Sequence, residues 1–499
     1  MSISLFVWLW PTLVGLILLL VMSQYHQVWA RRRILSEAVV GLQLAALPFL
    51  LTIPAPAIVQ LLLGLLQGWA ILLASRLFFG RLPVEFLRRS THLNSLVALG
   101  LVVIVFDAWL VGKVLGFQAW PYHQILVVLL LFSGVTGMGF LYQVIWTLKH
   151  YKLRDLDQNL DLRDLPTVTL AIPARNETHA LEACLRAAAA SEYPKLEIIV
   201  LDDCSQDKTP EIIRSFAHNG IRFVQGDVPA SGWLGKNQAF STLAEHASGD
   251  FIFFADVDTQ VAPQSITKLV KYALSNKLEM VTVLPQRRDG WSFATVLPYL
   301  RYFWQVALPV TARRVPVASQ CWLIRRQGLI ELGGFDAVRH KIVPETYFAR
   351  KLFATDQYRF IISNTEVGMT TAKRWTSQIE SGVRFLYPTF KRQPFLILLG
   401  SLLLGALVIL PFVIALIPLH DTRLLVLSAG TCGIYGLSYG LVVGRTHPLT
   451  WPVTLLCLPL SLVQEFVLLL GSMVTYEFGD VNWKGRNVCY PVIEQSRKG

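Results

Sequence analysis

The hydrophobic pattern divides the chain into three parts. Apolar runs at 5–22, 34–53, 57–75, 93–112 and 123–147 each approach the roughly 20 residues a helix needs to cross a bilayer. Arg31, Arg32 and Arg33 follow the first run, and Arg76, Arg81, Arg88 and Arg89 follow the third. A secretory leader carries its positive charge ahead of its apolar core. Here the arginines come after it, so the first run reads as a span with its N-terminus outside. Five crossings then bring the chain inside, although Asp107 and Lys113 weaken the fourth. Apolar runs resume at 394–418, 423–443 and 449–475. The tail, 476–499, carries Lys484, Arg486, Arg497 and Lys498 and should lie inside, yet three crossings would leave it outside. Pro459 and the Gln464-Glu465 pair interrupt the last run, which makes a re-entrant hairpin the competing reading. Glu465 within a span would be costly and would suggest function.

Between these parts the period changes. Short apolar stretches at 168–172, 197–201, 221–224, 251–255 and 280–284 read as strands. Helical stretches at 177–191, 207–218 and 236–247, and one opening at Pro263, separate them. Such alternation predicts a mostly parallel α/β sheet with right-handed crossovers. The aromatic-rich stretch 291–310 and the Arg- and Trp-bearing stretch 374–392 read as helices at a membrane surface. The expected layout is an N-terminal membrane region of about five spans (1–148), a charged linker (149–165), an α/β domain with interfacial helices (166–392), a C-terminal membrane region of two to three spans (393–475) and a cytosolic tail (476–499).

Composition agrees with a membrane protein: 53% of residues are hydrophobic and only 16% charged, with a mean hydropathy of +0.48. The net charge of +12 sits largely beside apolar segments, which fits anionic lipid and argues against a nucleic-acid partner. The six cysteines form no CxxC or CxxH pair, so neither a disulfide framework nor a zinc site is supported.

Four constellations fall at strand ends or helix starts of the α/β region. They are Pro173-Ala174-Arg175-Asn176-Glu177, Asp202-Asp203 with Ser205, Asp207 and Thr209, Gly232 with Gly235-Lys236-Asn237, and Asp256-Val257-Asp258. In open α/β sheets ligands bind at the carboxyl edge of the strands. On a continuing strand Asp256 and Asp258 would share a face. Two such carboxylates suit a hard divalent cation. Asp202 or Asp203 suits a base N–H or a ribose hydroxyl, and the Gly235-Lys236 turn suits a diphosphate. Singly, each is ordinary turn chemistry; together they predict one site.

Taken in order, these motifs resemble family 2 glycosyltransferases with the GT-A fold. The likeness is greatest to the membrane-bound branch that includes ceramide, carotenoid and hopanoid-associated glycosyltransferases. It covers roughly 166–392 and extends to Asn482-Trp483-Lys484-Gly485-Arg486, similar to a tail element of that branch. The resemblance implies a GT-A domain set between membrane regions, multi-pass in the cell membrane with its catalytic domain in the cytosol. It implies a nucleotide-diphosphate sugar donor, UDP-linked, and Mg²⁺ or Mn²⁺ held by Asp258 with Asp256 nearby. Pro173, Arg175, Glu177, Asp202, Asp203, Lys236, Asn237, Asp256 and Arg374 would face the donor, and Trp375 the donor's sugar or the acceptor. The family's general base is the Asp of a Glu-Asp pair; here Pro344-Glu345 stands at that place, so Glu345 matches the base. Gln320-Cys321-Trp322 with Gly333-Gly334-Phe335 resembles the acceptor-side segment. Thr371 stands where a Gln-x-x-Arg-Trp motif has Gln, a departure that argues against a processive polymer synthase. The expected activity is inverting transfer of a sugar to a membrane lipid hydroxyl. A polysaccharide synthase, or a non-catalytic scaffold or transporter, is the alternative.

Overall fold

The computed structural model describes residues 122–150, 161–288, 290–311, 314–417, 421–478 and 480–488. The first four N-terminal runs lie outside the described residues. The fifth is helix α1, Tyr122–His150.

The α/β region runs β1 (Val168–Ala174), α2 (Leu181–Ala189), β2 (Leu196–Asp202), α3 (Thr209–Ser215), β3 (Ile221–Gln225), α4 (Gly235–His246), β4 (Phe251–Ala255), β5 (Thr259–Val261), α5 (Ser265–Ser275), β6 (Met280–Leu284) and β7 (Gln286–Arg287). It continues through α6 (Phe293–Val296), α7 (Arg301–Ala307), β8 (Cys321–Arg325), α8 (Arg326–Glu331), α9 (Glu345–Phe353), β9 (Tyr358–Ile362), β10 (Met369–Thr371) and α10 (Trp375–Thr389). Seven strands form one sheet in the order β3-β2-β1-β4-β8-β6-β9. Only β8 runs antiparallel to its neighbours. The mostly parallel α/β expectation therefore holds. The strands are apolar on both faces because both are covered: in β4, Phe251 and Phe253 enter one core and Ile252 and Phe254 the other. Trp322 of β8 stacks on Phe254 at 4.4 Å, with Phe335 edge-on. Trp322 and Phe335, expected on the acceptor side, are core residues. A small second sheet orders β5-β10-β7.

One expectation fails at the chain's central motif. Asp256 and Asp258 do not share a strand face. β4 ends at Ala255 and the chain turns, with Thr259 N–H donating to the Asp256 carbonyl at 2.9 Å. The turn is needed because β5 leaves the main sheet to pair antiparallel with β10.

Beyond α10 come α11 (Pro394–Leu403), a π-helical stretch, α12 (Leu410–Leu416), α13 (Thr422–Thr446), α14 (Trp451–Leu456), α15 (Leu458–Phe478) and a hairpin of β11 (Asn482–Trp483) and β12 (Arg486–Asn487). Among the described residues, four helical segments are long and apolar enough to cross a membrane: Leu126–His150, Pro394–Leu416, Thr422–Thr446 and Leu458–Tyr476. Packing divides the described residues into two units, the larger holding 129–386, 403–472 and the tail from 480. In the smaller unit the Tyr387 and Tyr476 rings lie 5.9 Å apart. In the larger, Tyr435 of α13 donates to the carbonyls of Leu407 (2.9 Å) and Ser133 (3.1 Å). Thr147 of α1 donates to Val306 of α7 at 3.1 Å, and Gln286 of β7 donates to the Arg445 carbonyl of α13 at 2.7 Å. The C-terminal ends of α1 and α13 thus meet the α/β region.

The last apolar run breaks at Cys457, as Pro459 suggested. Thr454 donates to the Thr295 carbonyl, Gln464 to that of Leu297 and Ser472 to that of Val383. From 464 to 472, a rise of about 12 Å, α15 therefore lies lengthwise against the α/β region.

Candidate active site

The carboxyl ends of β1, β2 and β4 and the start of α4 converge, as alternating β/α units require. They border a cavity of about 840 Å³. Nine of the twelve residues singled out from sequence line it: Pro173, Arg175, Glu177, Asp203, Lys236, Asp256, Asp258, Arg374 and Trp375. The other three are placed differently. Asp202 is buried beneath the β2 turn and accepts from Ser205 N–H at 3.2 Å and Gln225 Nε2 at 3.3 Å. Asn237 is buried and its amide donates to the carbonyls of Val338, Arg339 and Lys341, which fixes the loop leading into α9. Glu345 opens α9 and is 1% exposed. A surface acid starting a helix is thereby excluded.

The cavity's acids are not alike. The Lys236 ammonium lies 2.6 Å from Asp256 Oδ1. Asp258 has no such partner for its sealed Oδ1. Burial raises the Asp258 pKa, with Lys373 opposing and Asp256 adding to the rise. Burial likewise lowers the pKa of Lys373, whose ammonium donates to Ser381 at 3.0 Å. Glu345, which does not itself line the cavity, also leaves one oxygen, Oε2, without a partner. Burial pushes its pKa up to about 7; the Lys236 charge works against this and that of Asp256 with it.

The tail supplies cations to the same edge. Lys484 and Gly485, both at positive φ (47° and 78°), make the two-residue turn of the β11–β12 hairpin. Lys484 pairs with Glu177 and donates to the Arg175 carbonyl at 2.7 Å. Arg175 donates from Nε to the Lys484 carbonyl at 3.1 Å and from Nη1 to the Cys204 carbonyl at 2.8 Å. Arg486 Nη1 lies 2.6 Å from Asp203 Oδ2. Burial raises the Asp203 pKa, and the Arg486 hydrogen bond opposes it. Trp483 and Lys484 line the cavity.

Sequence reasoning missed Lys373 and Arg384, which also line it. A signal existed: Ser377, Glu380, Ser381 and Arg384 recur at helical spacing on α10, and all four face the cavity. Arg384 stacks over Trp483 at 4.7 Å.

Comparison with known proteins bears on this geometry. Residues 169–333 match the model for Glycosyl transferase family 2. Over 135 residues the chain is 31% identical to an undecaprenyl-phosphate 4-deoxy-4-formamido-L-arabinose transferase of Edwardsiella ictaluri, covering 26% of this chain and 41% of the relative. It is 29% identical to a beta-monoglucosyldiacylglycerol synthase of Trichormus variabilis, covering 24% and 26%. It is 27% identical to a poly-beta-1,6-N-acetyl-D-glucosamine synthase of Staphylococcus aureus, covering 32% and 40%. The chain thus spans well under half the length of these relatives. The match covers β1 through α8 and includes the turns of Arg175, Asp203, Lys236 and Asp258. Over residues 169–333, from β1 through α8, the α/β region is similar to glycosyltransferase family 2.

Proposed function

We propose that the protein is an inverting glycosyltransferase that moves a sugar from a nucleotide-diphosphate sugar, UDP-linked, onto the hydroxyl of a membrane lipid. The observation that carries this reading is the cavity itself. It joins the sheet's carboxyl edge, two acids in one turn and a set of cations, beside helices apolar enough for a membrane.

Arg175, Lys236, Lys373, Arg374 and Lys484 suit the diphosphate, and Asp203 with Glu177 suits the nucleoside hydroxyls and base. A divalent cation fits Asp258, whose Oδ1 is sealed without a partner, with Asp256 two residues away. Among the described residues no group of three His, Cys, Asp or Glu stands together, so the remaining ligands would be phosphate oxygens and water. When bound, Mg²⁺ or Mn²⁺ neutralises charge on the departing diphosphate. Glu345 is the base. Its carboxylate takes the proton of the acceptor hydroxyl as that oxygen bonds to the anomeric carbon and the bond to the diphosphate breaks. A pKa near 7 suits a base working at neutral pH. The membrane lipid as acceptor is supported by the two relatives named for undecaprenyl phosphate and diacylglycerol. The poly-N-acetylglucosamine synthase among the relatives favours a second reading, a polysaccharide synthase. Thr371 in place of Gln argues for the first.

The test uses the full chain in nanodiscs with radiolabelled UDP-sugars, a membrane lipid extract and Mg²⁺ or Mn²⁺. Single-sugar lipids of inverted configuration are expected, and Asp258→Ala abolishes them. Long polymer would establish the second reading; no transfer from any donor would overturn both.

A further inference from the structure

Gln320 and Glu465 are buried polar residues that lie outside the cavity lining. Each leaves one side-chain oxygen without a partner. Gln320 stands one residue before β8, just past the last ladder pair, Ala255 with Cys321. Its backbone carbonyl accepts from the Asp256 N–H at 2.7 Å and from the Thr259 hydroxyl at 3.4 Å. The turn from Asp256 to Thr259 therefore hangs at both ends on one carbonyl. On its far side the Ala372 N–H donates to the Asp258 carbonyl at 3.2 Å. Residues 315–319, which lead into Gln320, belong to neither helix nor strand. The side chain supplies the missing anchor: its amide donates to the Tyr302 hydroxyl of α7.

A helix of seven residues, such as α7, has no stability of its own in water. Its neighbours decide where Tyr302 sits, and three of them are membrane-grade helices. Thr147 of α1 donates to the Val306 carbonyl at 3.1 Å, and Phe140 of α1 meets Trp304 edge-on, with centroids 5.7 Å apart. Phe303 meets Tyr439 of α13 edge-on at 5.5 Å. Glu465 of α15 faces the Leu300 N–H and the Trp304 indole. One short helix thus joins the three long ones to the turn that carries Asp256 and Asp258.

We infer that Tyr302 is a positioning residue for the proposed transfer. Through Gln320 it sets the turn that presents Asp256 and Asp258 to the cavity, and the packing of α1, α13 and α15 around α7 governs how tightly that turn holds a divalent cation. This rests on the reading of the turn as a metal site. Groups that orient metal ligands from behind are commonly worth about 10- to 100-fold in metal affinity. Tyr302 acts one step further back, so its share is smaller.

The test uses the full chain in nanodiscs and reads two quantities: Mn²⁺ affinity by electron paramagnetic resonance at saturating UDP, and amide hydrogen exchange over residues 251–262. Tyr302→Phe keeps the ring and removes the hydroxyl. It is expected to weaken Mn²⁺ binding about fivefold, the worth of one buried hydrogen bond. Exchange at Asp256 and Thr259 speeds up, and metal-free UDP affinity stays within about twofold. Gln320→Met, of similar length without an amide, gives the same two changes, and the double variant is no worse than either single one. Glu465→Leu shifts both readouts in the same direction; no shift there overturns the part assigned to α15. Unchanged exchange at the turn in Tyr302→Phe overturns the inference. So do additive effects in the double variant, or faster exchange across the whole sheet, which would make Tyr302 merely structural. If the unaltered chain binds no Mn²⁺, the metal reading falls, and exchange alone decides whether Tyr302 sets the turn. If Mn²⁺ binds and Tyr302→Phe leaves its affinity unchanged, the metal reading stands and the inference falls.

Discussion

The strand-edge half of the site and the helical half treat charge in opposite ways. At the strand edge nearly every acid meets a cation of the chain itself: Asp256 with Lys236, Glu177 with Lys484, Asp203 with Arg486. Asp258 is the exception, with one sealed oxygen unpaired. In the helical half Glu345 is buried at the start of α9, and Oε2 has no partner. An adjacent cation favours the charged carboxylate and burial the neutral acid; at Asp203 burial outweighs the opposing Arg486, and at Glu345 it outweighs the more distant Lys236 charge. The first arrangement suits groups that bind a charged donor, and the second a group that must gain a proton during reaction.

The sharpest way to break this contrast is to remove its two unpaired acids. Asp258→Ala is expected to lower kcat/KM by about 10³-fold or more, as loss of a charge-stabilising centre does, measured by sugar transfer. Metal-dependent tightening of UDP binding should vanish with it. Glu345→Gln is expected to lower kcat by about 10²- to 10⁴-fold, the usual worth of a general base, with UDP affinity retained. If Glu345→Gln loses UDP affinity instead, Glu345 belongs to the donor half and the contrast fails.

The pH dependence of Glu345 carries a definite sign. Its folded pKa, about 7, lies above the ordinary 4.5. The native state therefore binds the proton more tightly, and stability from this group is present below about pH 4.5 and lost as pH rises through 7. Activity runs the other way, because the base must be ionised. kcat/KM is expected to fall about tenfold per pH unit below 7. Glu345→Gln, uncharged at every pH, should then melt higher than the parent above pH 8, by the equivalent of about 2–3 kcal/mol. Thermal melts at pH 5 and pH 8 separate the two effects.

A comparable but structural effect is expected at the tail. Arg486→Ala leaves Asp203, 4% exposed, as a buried acid without its ion pair. Losing one partner of a buried pair costs about 3 kcal/mol, less here because Arg486 keeps some solvent contact. A drop in melting temperature together with weaker UDP binding is the expected result. The smallest effect is at Gly235, where an added Cβ would collide with the Arg486 guanidinium. That group is the far end of a flexible side chain, so Gly235→Ala is expected to cost about 1 kcal/mol and leave kcat within a few-fold. A loss of activity as large as that of Asp258→Ala would mean that the tail and the donor half act as one element.

The fold was legible where the chemistry is local. The five strands expected between 168 and 284 stand where their apolar runs ended. Helix ends were less legible: the helix expected over 207–218 is only Thr209–Ser215, because a short 3-10 turn and Gly220 at φ 77° finish it early. β8 and β9 were not read as strands, since Cys321–Arg325 and Tyr358–Ile362 sit among helices without the alternation that flags β/α units. The site was legible as residues and not as geometry. Asp256-Val257-Asp258 was visible, yet its turn depends on β10, more than a hundred residues later.

By itself, the sequence determined the α/β class, the membrane-grade helices, and the order of the Arg175, Asp203, Lys236 and Asp258 motifs. These follow from periodicity and residue type, which act over a few neighbours. Tertiary structure alone decided that Lys484 and Arg486 pair with Glu177 and Asp203 across some three hundred residues. It also decided that Glu345 is buried rather than exposed, and that α15 lies along α10. Long-range pairing and desolvation depend on which elements the fold brings together, and no local pattern encodes that.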